Sequence, residues 1–79
     1  MKQIVVAQSG WVFIGETQQL ADVMRITDAS VIRVWGTSNG LGEIAINGPT
    51  KHTTLDYAGI VEIKTHAVLF TVDCTYDDR

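Results

Sequence analysis

The chain has 79 residues, a length that accommodates one domain (residues 1–79) with a thin hydrophobic core. Hydrophobic residues make up 46% of it, charged residues only 19%, and the formal net charge is -3. This acidic balance argues against a non-specific nucleic-acid binder, which carries an excess of basic residues. The apolar runs are far shorter than the roughly 18 residues that a membrane-spanning helix needs.

The composition also predicts self-association. A domain this small needs support beyond its own core, and a low content of charge leaves apolar surface for a second subunit. Cys74 has no partner for an internal disulfide, and with His52 and His66 it does not follow the spacing of a zinc site. No secretion signal is recognisable. We therefore expect a cytoplasmic homo-oligomer without a metal, a cofactor or a membrane segment.

The first elements in chain order are strand-like. Lys2 to Ser9 predicts a strand, Ser9-Gly10 a turn and Trp11 to Glu16 the hairpin partner. The side chains of this second strand alternate between two faces, and both faces are apolar. Trp11 and Phe13 lie on one face, and Val12 and Ile14 lie on the other. Gly15 within this run indicates a bulge or a sharp bend. Two apolar faces are typical of a sheet covered on both sides or of a closed barrel.

A second pair of strand-like runs, Asp22 to Thr27 and Ser30 to Trp35, follows a short break. Leu41 to Asn47 fits both a helix and an alternating strand. We favour one short helix near residues 40–47, because Asn47-Gly48-Pro49 is a typical helix stop and Thr37, Ser38 and Asn39 are candidate N-caps.

The second half of the chain is less regular. It predicts a polar loop at Thr50 to Leu55, a turn at Tyr57 to Gly59, a final hairpin of Ile60 to Lys64 with Ala67 to Thr75, and a polar tail at Asp77 to Arg79. Together these elements predict a mainly β fold. It is a small barrel or a strongly twisted antiparallel sheet with one short helix.

The clearest candidate site follows the Ser30 to Trp35 run. Arg33 and Trp35 lie two residues apart and share a strand face, where a cation can pair with phosphate and a ring can stack on a base. The small-residue loop after Trp35 offers backbone N–H groups, and residues 51–54 form a polar cluster suited to phosphate or ribose contacts. The predicted ligand-binding residues are Arg33, Trp35, Thr37, Ser38, Asn39, Lys51, His52, Thr53 and Thr54.

Each of these features also has a purely structural interpretation. Trp35 can pack in the core with Arg33 lying over it, the loop can be an ordinary capped connection, and the polar cluster can be an exposed loop. No carboxylate pair, catalytic triad or metal spacing accompanies them. We therefore predict no enzymatic activity and no catalytic residue.

Three segments carry a resemblance to a known family. They are GWVFIGE at residues 10–16, DASVIRVWGTSNGLGEIAINGP at residues 28–49 and GIVEIKTHAVLFTVDC at residues 59–74. This pattern resembles a family of small uncharacterised bacteriophage and prophage proteins. The resemblance implies a phage origin, a small β-rich fold and the host cytoplasm, and it brings no catalytic residues. Many small phage proteins act against host defence systems, which is an association at the level of the class.

The sequence thus predicts a non-enzymatic phage protein that binds and sequesters an anionic, nucleotide-like small molecule, such as a host immune signal, as a homo-oligomer. Two other functions stay open. One is a structural or protein-interaction module of a phage, including a virion-associated one. The other is a single-stranded nucleic-acid binder, which the acidic charge disfavours.

Overall fold

The computed structural model describes residues 1–76 and shows one antiparallel sheet with a helix on one side. The elements are β1 (Lys2–Ala7), β2 (Val12–Leu20), β3 (Val23–Val34), α1 (Leu41–Asn47), β4 (Thr54–Lys64) and β5 (Val68–Asp73), with single 3₁₀ turns at Gln8–Gly10 and Thr65–Ala67. The sheet order is β4-β3-β2-β1-β5. The prediction of a mainly β fold with one short helix is confirmed. β4 and β5 form two separate edges, so the sheet is not closed into a barrel.

Several predicted boundaries are corrected by this sheet. β1 ends at Ala7, before the predicted Ser9, and β2 runs on to Leu20. The two runs predicted on either side of residue 28 form the single strand β3. A bulge absorbs the break, because the pairing register shifts between Ile26 and Ala29 and Asp28 has a φ of 51°.

The second half of the chain differs most from its prediction. The turn predicted at Tyr57 to Gly59 lies within β4, where Gly59 has a φ of 81° beside another register shift. The predicted loop at Thr50 to Leu55 ends earlier, because β4 begins at Thr54. The final hairpin is wrong, since β4 pairs with β3 and β5 pairs with β1. The predicted tail at residues 77–79 lies outside the described residues.

One face of the sheet is covered by α1 and is called the helix-covered face below. Helical spacing places Leu41, Ile44 and Ala45 on the buried side of α1. The helix ends at Gly48, whose N–H donates to the carbonyl oxygen of Ile44 at 2.8 Å. The core on this face consists of Ile4, Val12, Ile14, Ile32, Leu41, Ile44 and Ala45. In residues 1–76 no helix has the length and apolar character needed to cross a membrane.

The opposite face, called the groove face below, has a second core without a helix. It consists of Val5, Phe13, Ile26 and Ala29, and the partly buried Met24, Val31, Val61, Ile63 and Val68 pack against it. The predicted alternation along β2 is therefore confirmed, with Phe13 and Ile14 buried on opposite faces.

Gly15 is the point at which β2 bends. The register with β3 shifts between Ile14 and Glu16, which confirms the predicted bulge. A Cβ atom on Gly15 would lie 2.6 Å from Cγ2 of Ile26 and 2.8 Å from the carbonyl oxygen of Thr27. Because only glycine allows this approach, β3 lies unusually close to β2 at the bulge.

Candidate ligand-binding site

The two polar groups predicted as a site meet where β3 ends. The Thr53 hydroxyl donates to the carbonyl oxygen of Trp35 at 2.6 Å, and the Thr50 hydroxyl donates to the carbonyl oxygen of Gly36 at 2.7 Å. Thr54 pairs with Val34 in the sheet. The structure therefore brings the two groups together in one subunit, in a region that we call the Trp35 corner (residues 35–40 and 50–53).

The same hydrogen bonds hold the corner in shape. The Thr53 hydroxyl also accepts the backbone N–H of Thr50 at 2.9 Å. Gly36 has a φ of 64°, and a Cβ atom there would lie 2.3 Å from the carbonyl group of His52. The Thr50 and Thr53 hydroxyls are thus occupied by the loop itself. Lys51 and His52 extend into solvent.

The loop before α1 is also internally bonded. Thr37 donates through its hydroxyl to the carbonyl oxygen of Gly40 at 3.1 Å, and the backbone N–H of Asn39 donates to the Glu43 carboxylate at 3.1 Å. Gly40, rather than one of the predicted caps, occupies the N-cap position, and no side chain caps the helix. The Glu43 carboxylate therefore stands where an anionic ligand was predicted to bind.

Trp35 is 45% exposed, so it does not fill the core in the way that its structural interpretation required. Its ring lies over Gly40, with a ring carbon 3.8 Å from the position of a Cβ on that glycine. The ring is available to a ligand at the edge of the Trp35 corner.

Arg33 forms an exposed ion pair with Asp56. Its Nε donates to Oδ2 of Asp56 at 2.7 Å, and the two side chains are 64% and 51% exposed. Such a pair contributes at most about 1 kcal/mol to stability, because water screens both charges. The guanidinium group is therefore held in position by a partner that an anionic ligand can displace.

Trp11 is the aromatic neighbour of Arg33 that the sequence analysis missed. Phe13 pairs with Val31, and continuing this register places Trp11 beside Arg33. Both residues line a groove of about 470 Å³, together with Ser9, Gly10, Val12, Val31, Ile32 and Asp56. We call it the Arg33 groove. The alternation of Trp11 and Phe13 was a usable signal, but it needed the β2–β3 register to connect it with Arg33.

Trp11 stands between this groove and a larger one. It is 55% exposed and stacks on Phe13, with ring centroids 6.1 Å apart and an angle of 13° between the ring planes. The larger groove, called the seam groove, measures about 510 Å³ and is lined by Ala7, Gln8, Ser9, Trp11, Phe13, Val61, Glu62, Ile63, Lys64, His66 and Ala67. It lies between the end of β4 and the β1–β2 connection.

The charges at the rim of the seam groove favour an anion. Nε and a terminal nitrogen of Arg25 donate to one Glu62 oxygen at 2.9 and 2.7 Å, which neutralises that carboxylate. Nζ of Lys64 lies 3.9 Å from Asp22, a long and exposed ion pair. Lys64 therefore supplies a positive charge at this rim, with His66 beside it. The sequence does not predict this rim, because residues 60–64 resemble one strand of a hairpin with residues 67–75.

Tyr57 on β4 is an ionisable group with a perturbed pKa. The hydroxyl of Tyr57 donates to Oδ1 of Asp28 at 3.2 Å. This hydrogen bond and the negative charge of Asp28 raise the pKa of Tyr57 above its ordinary value. Tyr57 is exposed, so the contact ties β4 to the bulge in β3 and forms no enclosed site.

These surfaces offer side chains that can hold a ligand. In residues 1–76 no three His, Cys, Asp or Glu side chains are grouped so that they could hold a metal ion. The grooves combine rings, cations and apolar floors, which are the groups that hold a flat anion in place. Comparison of the chain with family models, with curated proteins and with solved structures finds no match.

Proposed function

We propose that this protein binds an anionic, nucleotide-like small molecule in the Arg33 groove and releases it unchanged. One observation carries the proposal: a guanidinium and an exposed indole line the same groove. A ligand phosphate pairs with Arg33 while a base stacks on Trp11. Guanidinium groups suit phosphate because several N–H donors lie in one plane, and stacking on an aromatic side chain is worth about 1–3 kcal/mol per base.

The ion pair with Asp56 is compatible with this role. Breaking this ion pair costs little free energy, because both side chains are exposed. Phosphate competes well for the guanidinium, because it carries more charge and more acceptor oxygens than a carboxylate. Asp56 remains next to the bound phosphate and repels it. The affinity of the groove is therefore lower than it would be without Asp56, and this gives the proposal a variant that should gain affinity.

The proposal extends to assembly and biological role. Exposed large hydrophobic side chains support a homo-oligomer; they are Met1, Trp11, Val34, Trp35, Ile46, Leu55, Tyr57, Ile60, Leu69 and Phe70. The resemblance to small phage proteins supports action in the host cytoplasm. A binder without turnover acts there by sequestering its ligand, for which a nucleotide signal of host immunity is our candidate.

The test is calorimetric titration of the wild type with a panel of linear and cyclic nucleotides. Arg33→Ala should weaken binding by about 1.5–3 kcal/mol, the range for hydrogen bonds to charged groups. It should leave the melting temperature nearly unchanged, because its ion pair is exposed. Asp56→Asn is the matched variant, and it should bind the same nucleotide more tightly than the wild type.

Two results would contradict the proposal. One is the absence of any nucleotide that binds the wild type more tightly than about millimolar, which corresponds to about 4 kcal/mol. The other is an Arg33→Ala variant that binds as well as the wild type. If a nucleotide binds, Trp11→Ala and Trp35→Ala show which of the two rings it contacts. We expect the larger loss of affinity from Trp11→Ala, since Trp11 lines the groove of Arg33.

A second candidate function has its own support. Leu55, Tyr57 and Ile60 on β4, and Leu69 and Phe70 on β5, are exposed at both edges of the sheet. Such side chains suit a structural or protein-interaction module of a phage. That function takes precedence if the nucleotide panel gives no binding. An oligonucleotide in the same panel tests the single-strand alternative, for which binding would fall steeply with added salt.

A further inference from the structure

We infer that the outer edge of β5 is the subunit interface, where it pairs antiparallel with β5 of a second copy of this chain. The two sheets would then join into one continuous sheet across a two-fold axis. The inference deepens the homo-oligomer in the proposed function and rests on it. It does not depend on the identity of the ligand.

The two edges of the sheet are built differently. β4 carries Asp56, Glu62 and Lys64, and its pairing with β3 is interrupted by register shifts, one of them beside Gly59. Charged side chains and bulges are the devices by which proteins keep an edge strand from pairing with another chain. β4 therefore carries charges and bulges that oppose pairing along its edge, although Leu55, Tyr57 and Ile60 are also exposed on it.

β5 carries fewer of those devices: its pairing with β1 has one register shift, at Leu69 between the Val6–Phe70 and Ala7–Val68 pairs. Its sequence is VLFTVD, with no proline, no lysine and a single charge at its last residue. Leu69 is 61% exposed and Phe70 is 53% exposed. Among residues 1–76, β5 pairs with β1 alone. An apolar edge strand with a single charged residue is a template for another strand.

The register shows which backbone groups point outward. The N–H of Cys74 donates to the carbonyl oxygen of Lys2 at 3.0 Å. Because the direction alternates along a strand, the N–H of Val72 also points to β1, while those of Thr71 and Asp73 point away from it. Thr71 lies near the middle of β5, so its N–H and C=O are the groups that a pairing strand would use first.

Charge and symmetry favour a second copy as the occupant. Asp73 is the only charged residue of β5. In an antiparallel pair related by a two-fold axis, the two Asp73 side chains lie at opposite ends and do not repel each other. The same arrangement brings the exposed Leu69 and Phe70 of each copy to the centre of the interface. A parallel pair would instead place the two carboxylates side by side.

The experiment uses the full chain at micromolar concentration, with light scattering after size exclusion. The wild type should be a dimer or a larger assembly. Thr71→Pro removes the outward N–H but no hydrogen bond to β1, and edge positions of this kind tolerate proline. It should raise the dissociation constant by at least about tenfold, because the symmetry removes two bonds at once. Thr71→Ala is the matched control and should assemble as the wild type does.

Phe70→Lys is the second variant, because it places a cation in the interface and leaves the backbone intact. Phe70→Lys should be monomeric at the same concentration. Its Thr71 amide should exchange with solvent faster than that of the wild type. Circular dichroism confirms that each variant is folded. If Thr71→Pro does not fold, Phe70→Lys decides.

The outcomes separate the two proposals. A folded Phe70→Lys or Thr71→Pro variant that assembles like the wild type would overturn the β5 interface, while the homo-oligomer stands. A wild type that is monomeric at high micromolar concentration would overturn both. Nucleotide binding by monomeric Phe70→Lys at wild-type affinity supports the separation of the interface from the Arg33 groove.

Discussion

The two faces of the sheet bury their core residues by different means. On the helix-covered face, α1 supplies Leu41, Ile44 and Ala45 as a separate layer. On the groove face, the core is formed by side chains from all five strands of the sheet, and β2 bends at Gly15, where its register with β3 shifts. A helix covers a face evenly. A curved sheet instead leaves a groove between its parts, here between the end of β4 and the β1–β2 connection. We call this line the seam.

That seam explains where the candidate site lies. Both grooves adjoin Trp11, at the connection between β1 and β2, and Trp11 stacks on the core residue Phe13. The helix-covered face also pairs a ring with a cation, since Nζ of Lys2 lies 5.2 Å from the centroid of the Tyr76 ring. Side chains at a seam are well placed for function, because packing holds them and solvent reaches them.

The largest expected effect on stability comes from removing the Phe13 ring from the core of the groove face. Phe13→Ala should destabilise the protein by about 3–5 kcal/mol, because it opens a cavity under Trp11 in a small core. Urea unfolding followed by circular dichroism measures it. A cost below about 1 kcal/mol would show that the groove face is held by other contacts.

Gly15→Ala tests the bend directly. Its Cβ would meet Cγ2 of Ile26 and the carbonyl oxygen of Thr27 at less than 3.0 Å, so one strand must move. We expect a loss of about 1–3 kcal/mol, as for other overpacked cores. Gly42→Ala is the control, since a Cβ on Gly42 meets nothing within 4 Å. Equal stabilities of the two variants would contradict the account of the bend.

Ile44→Val makes a small change on the opposite face. Ile44 is fully buried against the helix-covered face, and removal of one methylene should cost about 0.5–1.5 kcal/mol. Nucleotide affinity at the Arg33 groove should stay the same, because α1 does not line it. A parallel fall in affinity would mean that the two faces are coupled.

The smallest effect concerns the proton on Tyr57. Its raised pKa means that the folded state holds this proton more tightly than the unfolded state does. The stabilisation is therefore complete below the ordinary tyrosine pKa of about 10 and is lost as the pH rises through the raised value. Asp28→Asn should lower that pKa, as followed by tyrosinate absorbance. Asparagine tolerates the φ of 51° at this position.

Tyr57→Phe identifies the signal, because Tyr76 is the other tyrosine of the chain. If Asp28→Asn leaves the tyrosinate titration unchanged, the charge of Asp28 does not control Tyr57.

Local patterns were enough for part of this fold. The alternation around Phe13 and Ile14, the helix at residues 41–47 and the bulge at Gly15 are all confirmed, because each depends on neighbours within a few residues. The sequence did not predict that Thr53 lies next to Trp35; it only indicated that a shared site would require this. The structure shows the contact. The ligand itself stays a prediction.

The sequence by itself determined the mainly β class, the two apolar faces and the single helix, since side-chain periodicity and turn residues act locally. Only the tertiary structure decided that β4 and β5 form opposite edges, although three residues separate them in the chain. It also decided that Trp11, rather than Trp35, shares a groove with Arg33. Strand register and the bend at Gly15 set both, and these depend on which distant strands pair.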